Sequence, residues 1–126
     1  MENNFDTIVA IVTPLALSGV GIIRISGERA VSIAQNIFSS KIKPKQINYG
    51  YIKNTQKTLD EVILLPFIAP HSYTGEDVVE IQSHGNPVIL NSILELILSK
   101  GARLAQRGEF TKRAFLNHRI DLSQAE

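Results

Sequence analysis

The chain has 126 residues, 44% of them hydrophobic and 20% charged, a size and composition that suit one compact domain and leave little room for two. About two-thirds of the unfolded surface is buried at this length, so no disulfide or structural metal is needed. With no cysteine, disulfide frameworks, thiolate metal sites and a cysteine nucleophile are all excluded. The net charge of +1 excludes a uniformly basic nucleic-acid coat.

The start, Met1 to Asp6, is polar and acidic, and the longest apolar run, Val62 to Ala69, is interrupted by Pro66. Neither a signal peptide nor a membrane span is expected, and the reading is cytoplasmic. Thr7 to Thr13 is nearly all β-branched and stops at Pro14, as a buried strand does. Val20 to Ser26 predicts a second strand, in which Ile22 and Arg24 share one face and Ile23 and Ile25 the other. Ser26 is placed to cap a helix running to about Phe38.

Ile47 to Ile52 alternates weakly, like an edge strand, and Leu59 to Phe67 reads as a more central one. Only a short polar turn separates them, which predicts an antiparallel hairpin. A loop over 69–77, rich in hydrogen-bonding side chains, precedes a strand from Val78 to Gln82. Asn86 as cap and Pro87 at the first helical position open an apolar-striped helix that ends at Lys100 before Gly101. Ala102 to Ala105 predicts a short strand, and Phe110 to Leu116 a short helix opened at Gly108. The whole predicts an α+β fold, a mixed β-sheet with helices packed mainly on one face. Ser123 and Glu126 have capping-box spacing with no helix following, which suggests a piece of a longer protein.

Charge is distributed unevenly. Leu59 to Glu80 holds five acids and no Lys or Arg, whereas Lys100 to Arg119 holds six cations against Glu109 alone. Such blocks form solvated faces or meet across a site or an interface. No phosphate-cradling G-x-x-x-x-G-K-[ST] is present, Gly19-Val-Gly21 lacks the rest of a dinucleotide fingerprint, and His71, His84 and His118 lack the spacing of helix-borne zinc ligands. No metal site is expected in this chain. Arg24 and Glu80 each interrupt an apolar strand. They either pair with each other or lie on the solvent face, or they form a ligand site, with a carboxylate for a planar N–H pair and cations for an acid group.

Several motifs carry a resemblance: Asp6-Thr-Ile-Val-Ala10, Gly21-Ile-Ile-Arg-Ile-Ser-Gly27, Ser72-Tyr-Thr-Gly-Glu-Asp-Val-Val-Glu80, His84-Gly, Gly108-Glu-Phe-Thr-Lys-Arg-Ala-Phe-Leu-Asn117 and Asp121-Leu-Ser-Gln-Ala-Glu126. In order and spacing the chain resembles the N-terminal domain of the MnmE (TrmE) family of tRNA modification GTPases. That resemblance implies a fold similar to the tetrahydrofolate-binding domain of aminomethyltransferases over residues 1–118, with 119–126 beginning a helical domain that carries the GTPase domain. It implies a homodimer binding 5-formyltetrahydrofolate or a related one-carbon tetrahydrofolate, with Arg24, Glu80 and Arg119 as folate-binding residues and no catalytic residue in this stretch.

The implied activity of the whole family protein is GTP hydrolysis with K+ and Mg2+ in the GTPase domain. Working with the flavoprotein MnmG (GidA), it adds a carboxymethylaminomethyl-type group at C5 of the wobble uridine of certain tRNAs. The chain departs from the family at Thr13-Pro-Leu-Ala-Leu-Ser-Gly19, where a Gly-rich loop with an arginine is usual, and at Arg119, where lysine is common. A fork replaces a point donor at that second position. The alternatives are a purely structural dimerisation or docking domain without folate, and an RNA-binding module using Lys100 to Arg119.

Overall fold

The computed structural model describes residues 6–14 and 18–117. The elements follow in the order β1 (Ile8–Ile11), β2 (Ser18–Ser26), α1 (Ala30–Ile37), β3 (Asn48–Lys53), β4 (Thr58–Phe67), β5 (Val78–Gly85), α2 (Pro87–Ser99), β6 (Arg103–Leu104) and α3 (Glu109–Leu116). Among the described residues the strands form one six-stranded sheet in the order β3-β4-β5-β2-β1-β6. Only β6 is parallel to its neighbour, β1; the other ladders are antiparallel. The fold is α+β with a mixed sheet, and the β3–β4 hairpin and the edge position of β3 are as the pattern predicts.

Alternation along the strands sorts the side chains into two sets. Val9, Ile23, Ile25, Ile52, Val62, Leu64, Val79 and Ile81 point to one face and are buried against α1 and α2. From the helices come Ile33 and Ile37 of α1 and Leu90, Ile93 and Ile97 of α2, at the 3.6-residue period that puts one stripe on a sheet. Close approach of α2 to β2 depends on Gly21, where a Cβ would lie 2.5 Å from Leu90 Cδ1. Asn86 caps α2 as expected, its side chain accepting from the N–H groups of Val88 and Ile89.

Ser26 does not cap α1. It is the last residue of β2 and fully buried, its hydroxyl donating to Glu76 Oε1 at 2.8 Å and lying 2.7 Å from Thr74 Oγ1. The chain first turns through Gly27, at φ 141°, so the helix begins later, with Arg29 as a cap residue that makes no side-chain cap bond. Thr7 Oγ1, just before β1, accepts from the Arg29 N–H at 3.0 Å and so serves a donor at the helix start.

Candidate functional site

The sheet face turned away from α1 and α2 carries the polar residues that interrupt the apolar strands. Register aligns Ala10 on β1, Arg24 on β2, Glu80 on β5 and Leu65 on β4 in one row. The next row holds Ile22, Gln82, Ile63 and Tyr49. Directly opposed residues have Cβ atoms about 5 Å apart, so Arg24 and Glu80 meet by construction. Arg24 Nε and Nη2 both reach Glu80 Oε2, at 3.0 and 2.9 Å, and the two side chains keep 23% and 19% of their exposure. The pair is shielded yet reachable.

Two aromatic rings flank it. The Arg24 guanidinium carbon lies 5.3 Å from the ring centre of Tyr73 and 5.3 Å from that of Phe110, distances at which a cation is attracted to a ring face. Tyr73 comes from the 69–77 loop and Phe110 from the first turn of α3. The Tyr73 hydroxyl and Thr111 Oγ1, 2.9 Å apart, join these two segments beside Arg24.

Beneath lies an ion-pair network that ties the same segments to β1. Arg113, only 5% exposed, donates from Nη1 to the Asp6 carbonyl and to Glu76, and from Nη2 to Asp6 Oδ1 at 2.6 Å and Glu109 Oε2 at 3.4 Å. Arg103 joins Asp6 to Glu109 from the other side, with Nε 2.5 Å from Asp6 Oδ2 and Nη2 2.7 Å from Glu109 Oε2. The hydrogen bond from Arg103, reinforced by Arg113, holds both carboxyls below their ordinary range against the opposing effect of burial, and both acids raise Arg103. The acidic and basic blocks thus meet at Glu76 and Arg113.

Near the end of β5, Asp60 accepts the His84 backbone N–H at 2.9 Å and lies 2.8 Å from its Nδ1, fixing an imidazole that is 67% exposed. On the other side of Leu65 a groove of about 580 Å³ is bordered by Ile47, Leu65 and Phe67, with Lys45 and His71 at its rim. Among the described residues no cluster of three His, Asp or Glu could hold a metal ion, and no helix is long and apolar enough to cross a membrane.

Of the site residues predicted from sequence, Arg24 and Glu80 are brought together. Arg119 lies outside the described residues, as do His118, the Ser123–Glu126 capping signal, the proposed boundary at 118 and most of the Leu15–Ser18 loop. The residues that sequence reasoning missed are Tyr73, Phe110 and the Asp6, Glu76, Arg103, Glu109 and Arg113 network. Their only signal was indirect: two charge blocks of opposite sign, and a loop dense in polar side chains.

A protein-family model described as "GTP-binding protein TrmE N-terminus" matches residues 7–119. Proteins called tRNA modification GTPase MnmE are similar to this chain: one from Francisella philomiragia is 53% identical over 121 residues, covering 96% of this chain and 27% of the relative. Those from Francisella tularensis subsp. tularensis and subsp. novicida are 54% identical over the same shares. The chain therefore spans little more than a quarter of the length of these relatives.

Proposed function

The chain belongs to the TrmE N-terminal family, and from that premise we propose that it is the folate-binding, dimerising part of a tRNA modification GTPase. Its ligand in this reading is 5-formyltetrahydrofolate or a related one-carbon tetrahydrofolate. The observation that carries the reading is the Arg24–Glu80 pair, half-shielded on an otherwise apolar strand face between two aromatic rings. A reduced pterin presents adjacent N–H and amino donors, which suit a carboxylate, together with carbonyl and formyl oxygens, which suit a guanidinium. Glu80 is then the pterin anchor. Arg24 and Arg119 serve the oxygens, and Tyr73 and Phe110 wall a flat ring.

Dimerisation is supported by the same face, where Val12, Val20, Tyr49 and Tyr51 are exposed and, among the described residues, no helix covers the row of Ile22 and Ile63. A second copy would bury it. For the whole protein we propose GTP hydrolysis coupled, with the flavoprotein MnmG (GidA), to addition of a carboxymethylaminomethyl-type group at C5 of the wobble uridine, with the folate supplying the one-carbon unit. K+ and Mg2+ belong to the GTPase domain in this reading, and the compartment is the cytoplasm.

Isothermal calorimetry with 5-formyltetrahydrofolate tests the folate assignment. Binding by the wild-type dimer and its loss in Glu80→Ala are expected; a dimer that takes up no folate leaves a structural dimerisation domain as the better account.

A further inference from the structure

The charge map has a third block, which lies apart from the Arg24–Glu80 pair. The segment from Arg29 to Leu59 holds six of the chain's 13 cations and none of its 12 acids. We propose that Lys41, Lys43, Lys53 and Lys57, gathered along the β3 edge of the sheet, form a docking surface for the phosphate backbone of RNA. The inference rests on the reading above in which the whole protein acts on tRNA, and it adds where that substrate is held.

Placement is the first argument. β3 is the edge strand at the end of the sheet remote from β6. The chain leaving α1 runs back along its outer side, where Phe38 bridges Ile52 and the Ser39 N–H donates to the Tyr51 carbonyl at 3.0 Å. Lys41 and Lys43 are thereby brought beside β3. Asn48 fixes the backbone there, its Oδ1 accepting the Lys43 N–H at 2.8 Å and its Nδ2 donating to the Lys43 carbonyl at 3.0 Å. Lys53 ends β3, and Lys57 lies in the turn where Asn54 Oδ1 accepts the N–H groups of Gln56 and Lys57, both at 2.8 Å. Six residues of strand span about 20 Å, so cations stand at both ends of an edge long enough to meet several successive phosphates, which a duplex strand spaces about 3.4 Å apart along its axis.

Freedom to bind is the second. All four lysines are exposed, and among the described residues none of them pairs with an acid. The other basic stretch differs, because Arg103 and Arg113 are occupied by Asp6, Glu76 and Glu109. An RNA surface on residues 100–119 loses those two cations to internal pairing. The β3 edge keeps its own, since Asp60, the first acid after the block, is held by His84, and Glu61 belongs to the open face opposite Tyr51.

Sign is the third. Edge strands commonly carry lysine to repel a second strand, which accounts for Lys53 on β3 itself. It does not account for Lys41 and Lys43 in the connection, nor for so long a segment without an acid, because an ordinary solvated surface intersperses both signs. A surface of one sign attracts a polyanion and gains from the counterions that the polyanion releases. Tyr49 and Tyr51 belong to the open face and stay with the second copy, so RNA on the edge and a dimer on the face do not compete.

The test is fluorescence-anisotropy titration of the full chain with a labelled tRNA between about 50 and 200 mM salt. Four proteins are compared: wild type, Lys41→Gln/Lys43→Gln, Lys53→Gln/Lys57→Gln, and Lys100→Gln/Arg107→Gln, which removes the same charge elsewhere. All these side chains reach solvent, so folding should persist, with circular dichroism as the check. Each edge double should weaken tRNA about tenfold at low salt and lower the slope of log K against log salt by about two, whereas the third double should leave both nearly unchanged. Equal losses in all three doubles, or edge doubles that bind like wild type, overturn the β3 surface while leaving tRNA as the substrate. Displacement of tRNA by polyglutamate of matched charge at equal concentration also overturns it, in favour of an acidic polypeptide partner. Wild type that binds no tRNA at low salt overturns the surface outright, and calorimetry with 5-formyltetrahydrofolate on the same sample then shows whether the folate reading survives it.

Discussion

Arg24 places two N–H donors on a single oxygen of Glu80, Nε and Nη2 both within 3.0 Å of Oε2. Arg24 leaves the other oxygen, Oε1, to a different donor. A ligand with two parallel N–H groups can therefore take Oε1 outright and must share or displace Arg24 at Oε2. The geometry makes the guanidinium fork itself matter, since a lysine cannot put two donors on one atom from a fixed plane. Arg24→Lys should cost about 1 kcal/mol or less in folding stability, because the pair keeps solvent access, yet should weaken 5-formyltetrahydrofolate by about tenfold or more. Urea denaturation and calorimetry on the same variant read the two effects separately. Equal retention of stability and affinity would remove Arg24 from the ligand's contacts.

Arg113 differs in kind. Only 5% exposed and bonded to Asp6, Glu76 and Glu109, it is the shared cation of three acids from β1's approach, the 69–77 loop and α3. Removing one partner of a buried ionic cluster strands the others, at a cost of about 3–5 kcal/mol. Arg113→Met should therefore lower the denaturation midpoint far more than Arg107→Met, a change at an exposed position where effects stay within about 0.5 kcal/mol. Since α3 carries Phe110 and the loop carries Tyr73, partial loosening should also reach the Arg24 site. With no tryptophan in the chain, tyrosine fluorescence reports on Tyr73 against the background of Tyr49 and Tyr51.

The same network sets an acid limit on stability. Asp6 and Glu109 are held below their ordinary values of 3.8 and 4.5, first by the Arg103 hydrogen bond. A carboxyl depressed in the folded state contributes stability that is fully present above its unfolded value and is lost as pH falls through the folded one. Urea midpoints should thus hold steady above about pH 5 and decline below about pH 4. Asp6→Asn should be less stable at neutral pH and show a shallower acid decline, and a decline as steep as wild type would assign the acid sensitivity to other groups.

Where sequence reading succeeded, the cause was local. Period-two and 3.6-residue patterns identified the strands and α2, and Asn86 with Pro87 marked the start of that helix because capping is chemistry between near neighbours. Face assignment put Arg24 away from Ile23 and Ile25, but whether it paired with Glu80 turned on a register between strands 56 residues apart, which no local pattern encodes. Ser26 shows the opposite failure: a residue suited to capping was recruited by Thr74 and Glu76, and Thr7 served the helix instead. The parallel pairing of β6 with β1 and the convergence of Asp6, Glu76 and Arg113 are likewise products of topology.

The packing of α2 on β2 can be tested at a position that lacks a side chain. Ala is preferred to Gly in a strand interior by about 0.5–1 kcal/mol on backbone grounds, so Gly21→Ala would be stabilising if space allowed. It does not, since the new Cβ would meet Leu90 Cδ1 at 2.5 Å and Cδ2 at 2.7 Å, and Leu90 is fully buried with no free side to move to. Overpacking of this type costs about 1–3 kcal/mol. Leu90→Ala alone should cost about 2–5 kcal/mol by leaving a cavity. The two changes share one space, so in the double variant the cost of Gly21→Ala should vanish or turn into a gain. Strict additivity in a double-mutant cycle would show that the destabilisation of Gly21→Ala does not come from contact with Leu90.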